Sequence, residues 1–212
     1  MKRVMKSMIM MVAGGMAVLA AASATGQPSK EHSPASPQPG GSHADIARAC
    51  AEAGTPGAMH RRLARMVGEW HGSTRMWMGP GGESVTGECV WNVTSVMDGR
   101  YIRCEMVGEM PGLGEYRGLG YSGFDNVSGE FVGTWIDNHG TGIMNGAGGL
   151  SDDGRTMRWS YSYNCPIRRK PATVRQVETY SDDNTMSFEM FTTDPASGAE
   201  YRCMHIDFRR QK

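Results

Sequence analysis

The sequence predicts an all-β protein: an antiparallel, up-and-down barrel of about ten strands, with one or two short N-terminal helices that cap one end. Two observations lead to this prediction. From Glu69 onward, apolar side chains recur with a period of two, which is typical of strands with one buried face. Clusters of Gly, Asp, Asn and Pro interrupt this pattern at strand-length spacing, and they leave connections too short for the crossovers of a parallel sheet.

Two helical stretches precede the strands. Residues 45–53 are rich in Ala and predict the first helix. Thr55 followed by Pro56 has the pattern of an N-cap and a first helical position, and Met59 and Leu63 then fall on one face. This second helix runs almost directly into the first strand, so we expect it to plug one end of the barrel.

The turn signals divide the rest of the chain into about ten strands. Their predicted bounds are 69–78, 84–97, 100–110, 115–124, 130–138, 141–150, 156–163, 172–181, 185–192 and 199–209. An even number of strands lets the last strand pair antiparallel with the first and close the barrel.

A Trp near the start of the first strand and an Arg at the end of the last suit such a closure. A guanidinium can lie across an indole ring while it donates hydrogen bonds to nearby carbonyl groups. Arg210, unlike Arg209, shares the alternation of Phe208. We therefore predict that Trp70 and Arg210 close the barrel, which is a stabilising role and not an activity.

The N-terminal region is typical of an exported protein. Residues 1–24 combine a basic start, an apolar stretch too short to span a bilayer, and small residues before a cleavage site after Ala24. We expect a periplasmic or secreted protein with no stable membrane anchor after cleavage. Residues 25–43, rich in Pro, Ser and Gly, predict a disordered linker. Residues 44–212 predict a single domain that includes the helices.

Charge excludes one class of partner. The chain has 22 basic and 22 acidic residues, and without Lys2, Arg3 and Lys6 the mature form carries a net charge of about −3. No basic stripe remains, so we expect no nucleic-acid partner.

The five cysteines contain no CxxC pair and are odd in number. A two-residue turn at 98–99 puts Cys104 opposite Val93, which leaves Cys89 four residues further along and out of reach of a disulfide. We expect free thiols at these two positions, and the pairing of Cys165 with Cys203 stays open.

Alternation predicts an inner surface that is apolar and rich in Met and aromatic residues, with few polar side chains. Such a surface forms either a packed core or an adaptable cavity for a small apolar or amphipathic molecule. Glycines in the middle strands either permit tight bending or admit a ligand close to the backbone. The candidate pocket residues are Trp91, Met106, Trp159, Tyr161, Phe188, Met190, Met204 and Phe208.

Polar candidates are few. Asp137 and His139 at a strand end could lie at the barrel mouth as an acid–base pair or metal ligands, but this composition is also that of an ordinary turn. His60 on the second helix either hydrogen-bonds to the barrel end or lines a pocket. The chain has no catalytic motif, so we assign no catalytic residue and no metal ligand, and an enzyme is the less favoured class.

Several blocks of sequence resemble a known family. They are 60–63, 67–70, 97–101, 116–125 and 134–137. In this order they resemble domain of unknown function 1579, from about His60 to Arg210. The resemblance implies a calycin-like (lipocalin-like) barrel and bacterial origin, and it brings no established activity or catalytic residues.

A second resemblance concerns haem. Gly68-x-Trp70-x-Gly72 is similar to the start of the nitrobindin haem-binding motif G-x-W-x-G-x-G, but the last position is Thr74. Nitrobindins also use a His near the C-terminus as iron ligand, and His205 lies near that place, although alternation turns it outward. Haem or nitric-oxide binding therefore stays an alternative, beside an enzyme acting on a small hydrophobic substrate and a ligand-free structural domain. We expect no other cofactor.

Overall fold

The computed structural model describes residues 41–110, 112 and 114–212. The predicted signal peptide and most of the predicted linker lie outside the described residues. The described part divides into two compact units, one with the first helix and one with the second helix and all ten strands. No helix in these ranges is long and apolar enough to cross a membrane.

Two helices are followed by ten strands. The helices are α1 His43–Gly54 and α2 Ala58–Ala64. The strands are β1 Gly68–Trp77, β2 Ser84–Val96, β3 Tyr101–Met110, β4 Gly114–Asp125, β5 Glu130–Asp137, β6 Met144–Leu150, β7 Thr156–Cys165, β8 Lys170–Tyr180, β9 Thr185–Thr193 and β10 Glu200–Arg210. Every predicted strand is present, with ends that differ by at most three residues.

The strands form a closed barrel in which each pairs antiparallel with its neighbours in sequence, and β1 pairs antiparallel with β10. The predicted up-and-down barrel of ten strands is therefore confirmed. Val93 lies opposite Cys104, and Cys89 lies opposite Gly108. All five cysteines, which fall within the described ranges, have free thiols, Cys165 and Cys203 included.

A cation–π contact between Arg210 and Trp70 stabilises the seam between β1 and β10. Arg210 lies opposite Trp70 in the register, and its guanidinium carbon is 4.1 Å from the centroid of the indole ring. The guanidinium also donates hydrogen bonds to the backbone oxygens of Arg65, Val67 and Asp183. One cation thus joins the end of α2, the start of β1, the β8–β9 turn and β10.

The predicted start of the second helix is wrong. Thr55 closes α1: its hydroxyl donates to the Ala51 oxygen at 2.6 Å and its N–H to the Glu52 oxygen at 3.3 Å. Because these bonds satisfy the end of α1, Pro56 follows that helix, as Pro often does after a C-cap. The N-cap of α2 is Gly57.

Helix α2 packs on one end of the barrel, at β3 and β4. Leu63 and Met66 enter the hydrophobic core, and Trp70, 1% exposed, lies in the same core. The indole N–H of Trp70 donates to the Met66 oxygen at 2.9 Å. This end of the barrel, the α2 end, is therefore filled, as predicted.

Arg210→Lys should destabilise the barrel. A lysine keeps the charge, but its ammonium cannot donate in a planar fork to three carbonyl groups while it covers an indole. We expect the free energy of unfolding in denaturant to fall by about 1–2 kcal/mol.

Arg209→Lys is the matched control, because Arg209 is exposed on the neighbouring position. It should change the free energy of unfolding by less than about 0.5 kcal/mol. Equal losses in the two variants would contradict the closure role of Arg210.

Candidate functional site

The barrel interior contains a cavity of about 130 Å³. It is lined by Thr74 and Met76 from the later half of β1, and by Glu88 and Cys89 from the earlier half of β2. Because α2 adjoins the start of β1, the cavity lies toward the opposite end of the barrel, which we call the open end.

Most of the sequence-predicted pocket residues line this cavity. Trp159 does not: it is buried in the core, 4% exposed, and is not part of the lining. The seven predicted residues in the lining are Trp91, Met106, Tyr161, Phe188, Met190, Met204 and Phe208.

Methionines form a large part of the lining. Its flexible thioether chains adapt to the shape of an apolar guest. The six lining methionines are Met76, Met106, Met110, Met144, Met190 and Met204. Three of them, Met76, Met110 and Met144, are absent from the sequence-predicted set, because they lie near strand ends where alternation is hard to extend.

The glycines of the middle strands make room for aromatic rings. A Cβ atom on Gly118 would lie 2.2 Å from the Trp135 ring, and one on Gly120 would lie 2.6 Å from it. A Cβ on Gly146 would lie 2.5 Å from the Tyr161 ring. Since real Cβ atoms do not approach this closely, these glycines let the rings lie flat against neighbouring strands and form part of the cavity wall.

A buried carboxyl group, missed in the sequence, lies at the cavity wall. Glu178 is 5% exposed and lines the cavity together with Gln176. Its Oε1 accepts a hydrogen bond from Gln176 Nε2 at 2.7 Å, and its Oε2 is 2.5 Å from the Tyr180 hydroxyl. Burial raises the pKa of Glu178, against the opposing effect of these two hydrogen bonds and of the Arg62 charge.

The surroundings of Tyr180 accommodate the neutral form of Glu178. The Tyr180 hydroxyl is also 3.0 Å from the Met66 sulfur, and its single hydrogen can serve only one acceptor. When Glu178 is protonated, its O–H donates to Tyr180 and the Tyr180 O–H donates to the sulfur. Each hydrogen then has an acceptor.

The expectation of few interior polar groups fails at this cluster, although the sequence holds a signal for it. Met157 lies opposite Glu178 and Trp159 opposite Gln176 in the β7–β8 pair. Directly opposed residues point to the same face of a sheet. The inward aromatic pattern of β7, carried across the hairpin, therefore places both polar side chains inside.

Asp137 and His139 form a turn beside the open end. The His139 N–H donates to Asp137 Oδ1 at 2.9 Å, as in an Asx turn, and its Nε2 is 3.0 Å from the Glu115 oxygen. The imidazole stacks on the ring of Tyr116, which lines the cavity. Neither candidate is itself in the lining. Over the described ranges, no three His, Cys, Asp or Glu side chains are arranged to hold a metal ion.

His60 has a local structural role at the α2 end. Its Nδ1 accepts the Gly57 N–H at 2.9 Å and so caps α2, and its ring meets Phe124 edge-on with centroids 5.9 Å apart. It lies outside the cavity lining. The hydrogen bond of His60 is thus to the N-cap of its own helix, and only its ring contacts the barrel end, at Phe124.

The His suggested by the nitrobindin comparison does not reach the cavity. His205 lies between the carboxylates of Glu189, at 3.6 Å, and Asp207, at 3.0 Å, on the face opposite the buried Ile206. No His of the described residues is in the lining. A cavity close to the roughly 150 Å³ that holds benzene would also have to expand for a macrocycle. The residues present therefore do not fit a haem bound in the nitrobindin manner.

Glu178→Gln should flatten the pH dependence of stability. A carboxyl whose folded pKa is raised above its ordinary value of 4.5 costs stability as the pH rises past that value, because the folded state keeps a proton that the unfolded state loses. Glutamine has the shape and hydrogen-bonding pattern of the protonated acid. Relative to the variant, the wild type should lose up to about 1.4 kcal/mol of unfolding free energy per pH unit in this range.

The exposed Glu130→Gln controls for the loss of one carboxylate. Thermal or denaturant unfolding over a series of pH values measures the stability of the wild type and of both variants. A difference between wild type and Glu178→Gln that stays constant with pH would mean that Glu178 is ionised in the folded protein.

Comparisons with known proteins bear on the fold and the family. No curated protein matches the chain. The crystal structure of Rv2717c from M. tuberculosis is similar, with a TM-score of 0.55, 12% sequence identity, and coverage of 74% of this chain and 100% of that chain. At this identity the likeness concerns the fold alone.

The family resemblance is confirmed over nearly the whole barrel domain. The sequence profile described as "Protein of unknown function (DUF1579)" matches residues 55–210, which include α2 and all ten strands. The chain belongs to the DUF1579 family of proteins of unknown function.

Proposed function

We propose that the protein binds a small apolar or amphipathic molecule inside the barrel. The observation that carries the proposal is the cavity of about 130 Å³, walled by methionines and aromatic rings. An apolar cavity of about 150 Å³ takes up benzene, so the side chains as they stand leave room for a molecule of about one ring.

The distribution of packing along the barrel supports a binding role over a packed structural core. The α2 end is filled by Trp70, Leu63 and Met66. The interior at the open end instead holds partly buried methionines such as Met106, Met190 and Met204 around the cavity. A protein that needed only a stable core would gain by filling this space, since cavities reduce stability.

The environment of Glu178 favours binding over acid–base catalysis. A buried carboxyl group with a raised pKa beside a cavity is a common feature of enzymes. Both oxygens of Glu178, however, are already engaged by Gln176 and Tyr180, which fix it to the wall. We therefore assign it a place in the wall of the binding site.

We also propose that the chain is exported and works in the periplasm or outside the cell. The basic start, apolar stretch and small residues of 1–24 support this.

Toluene should enter the cavity and shift the methyl resonances of the lining methionines. With ¹³C-methyl methionine in the protein, an NMR titration should move Met106, Met190 and Met204, because they line the cavity. Met78 and Met97, 44% and 70% exposed and outside the lining, should stay in place.

Ser122→Leu tests whether the cavity is the site. Ser122 lines the cavity, so a leucine there should fill it and abolish the toluene shifts, whereas Ser162→Leu, at an exposed position of β7, should leave them unchanged. Toluene shifts that persist in Ser122→Leu, or no shifts in the wild type, would contradict the proposal. Haem addition that gave a Soret band would support the haem alternative instead.

Export predicts a defined mature chain. Protein recovered from its own host should have a mass that corresponds to cleavage after Ala24, with Thr25 as the first residue. Intact-mass measurement of the cell-envelope and medium fractions checks this, and a cellular protein that keeps residues 1–24 would refute export.

A further inference from the structure

We infer that the ligand carries a hydrogen-bond acceptor oxygen, such as a ketone carbonyl, and that the hydroxyl of Tyr161 donates a hydrogen bond to it. This inference rests on the proposed binding function and names the chemical class of the ligand. The inference is based on a comparison of the interior polar groups that have hydrogen-bond partners within the protein with those that lack them.

Tyr161 is a cavity residue, and the described part of the chain offers its hydroxyl no hydrogen-bond partner. The side chain is 8% exposed and lines the cavity. The hydroxyl lies over the backbone of β5, where a Cβ on Gly133 would be 2.7 Å away. Burial and the nearby Glu178 and Cys104 raise the pKa of Tyr161, without any hydrogen bond that opposes them. The phenol is therefore neutral and available as a donor.

Two other interior tyrosines already have a hydrogen-bond partner. The Tyr116 hydroxyl accepts the indole N–H of Trp135 at 2.8 Å, which leaves its own hydrogen free, and the Tyr180 hydroxyl is 2.5 Å from Glu178. The Tyr161 hydroxyl has neither a donor nor an acceptor among the described residues, and one hydrogen bond to it would contribute about 0.5–1.5 kcal/mol. Of these three tyrosines, Tyr161 is therefore the one whose hydroxyl a ligand would satisfy most fully.

A second donor with only a weak partner adjoins the same cavity. Trp91 is 7% exposed and part of the lining, and its buried Nε1 has no oxygen or nitrogen acceptor among the described residues. Its neighbour is the thiol of Cys104, and a thiol is a weak acceptor. An indole N–H can only donate, so this group also calls for an acceptor.

The charges around the cavity argue against an amine ligand. Glu178 is the buried carboxyl group that an ammonium would seek. Gln176 Nε2 already donates to its Oε1, its Oε2 is 2.5 Å from the Tyr180 hydroxyl, and the Arg62 guanidinium is near enough to lower its pKa. A cationic ligand at Glu178 would meet the repulsion of Arg62, whereas a neutral carbonyl oxygen could accept the hydrogen of the Tyr161 hydroxyl.

Acetophenone and α-methylstyrene test this inference, because they share a shape and differ by a carbonyl oxygen in place of a methylene group. Methionine-methyl NMR titrations give both dissociation constants. The wild type should bind acetophenone roughly 2- to 12-fold more tightly, the range expected for one hydrogen bond. Tyr161→Phe, which removes only the hydroxyl, should abolish this preference and leave the affinity for α-methylstyrene unchanged.

Tyr163→Phe is the matched control, since Tyr163 is on the same face of β7 but outside the lining, and it should keep the preference. If Tyr161→Phe fails to fold, Trp91→Phe tests the second donor and should weaken acetophenone binding selectively. A preference retained in Tyr161→Phe, equal affinities in the wild type, or tighter binding of benzylamine would overturn the inference while the proposed function stands. No binding of any of the three compounds would overturn both.

Discussion

The barrel depends on one guanidinium held against one indole. Strands β1 and β10 are the pair most distant in sequence, and their closure has the largest entropic cost, because every other pair is joined by a short turn. Arg210 offsets this cost by covering Trp70 and donating to three carbonyl groups, two from the α2–β1 connection and one from the β8–β9 turn. The same contact fixes the register of the seam, and with it the direction in which every interior side chain points.

The contacts that close the barrel and the proposed binding cavity are separated along the barrel axis. The α2 end combines the closing Arg, the helix and the tightest packing, so it determines whether the barrel stays closed. The open end contains the cavity and the methionines. Glu178 and Tyr180 lie between the two, since Tyr180 contacts Met66 and Arg62 from the helix side while Glu178 reaches the cavity wall. The side chains of the cavity can therefore vary at one end without loss of closure at the other.

The sequence predicts the strands well because turn residues and alternation are local signals. It predicts the start of α2 wrongly because Thr55 can either close α1 or act as the N-cap of α2. The hydrogen bonds of Thr55 to Ala51 and Glu52 show that it closes α1. The apolar positions alone do not indicate that Glu178 is buried, although the β7–β8 register places it inside the barrel. The sequence does not predict the volume of the cavity, because that volume depends on how rings such as Trp135 pack against the neighbouring strands.

The walls of the cavity are of two kinds, with different freedom to evolve. Where an aromatic ring rests on a glycine, as Trp135 does on Gly118 and Gly120, ring and backbone must change together, since any added carbon on the glycine collides with the ring. Where a methionine tip forms the wall, one substitution reshapes the space and leaves the sheet intact. Relatives whose cavities differ in shape should therefore differ first at the methionines and keep the glycine–aromatic pairs in common.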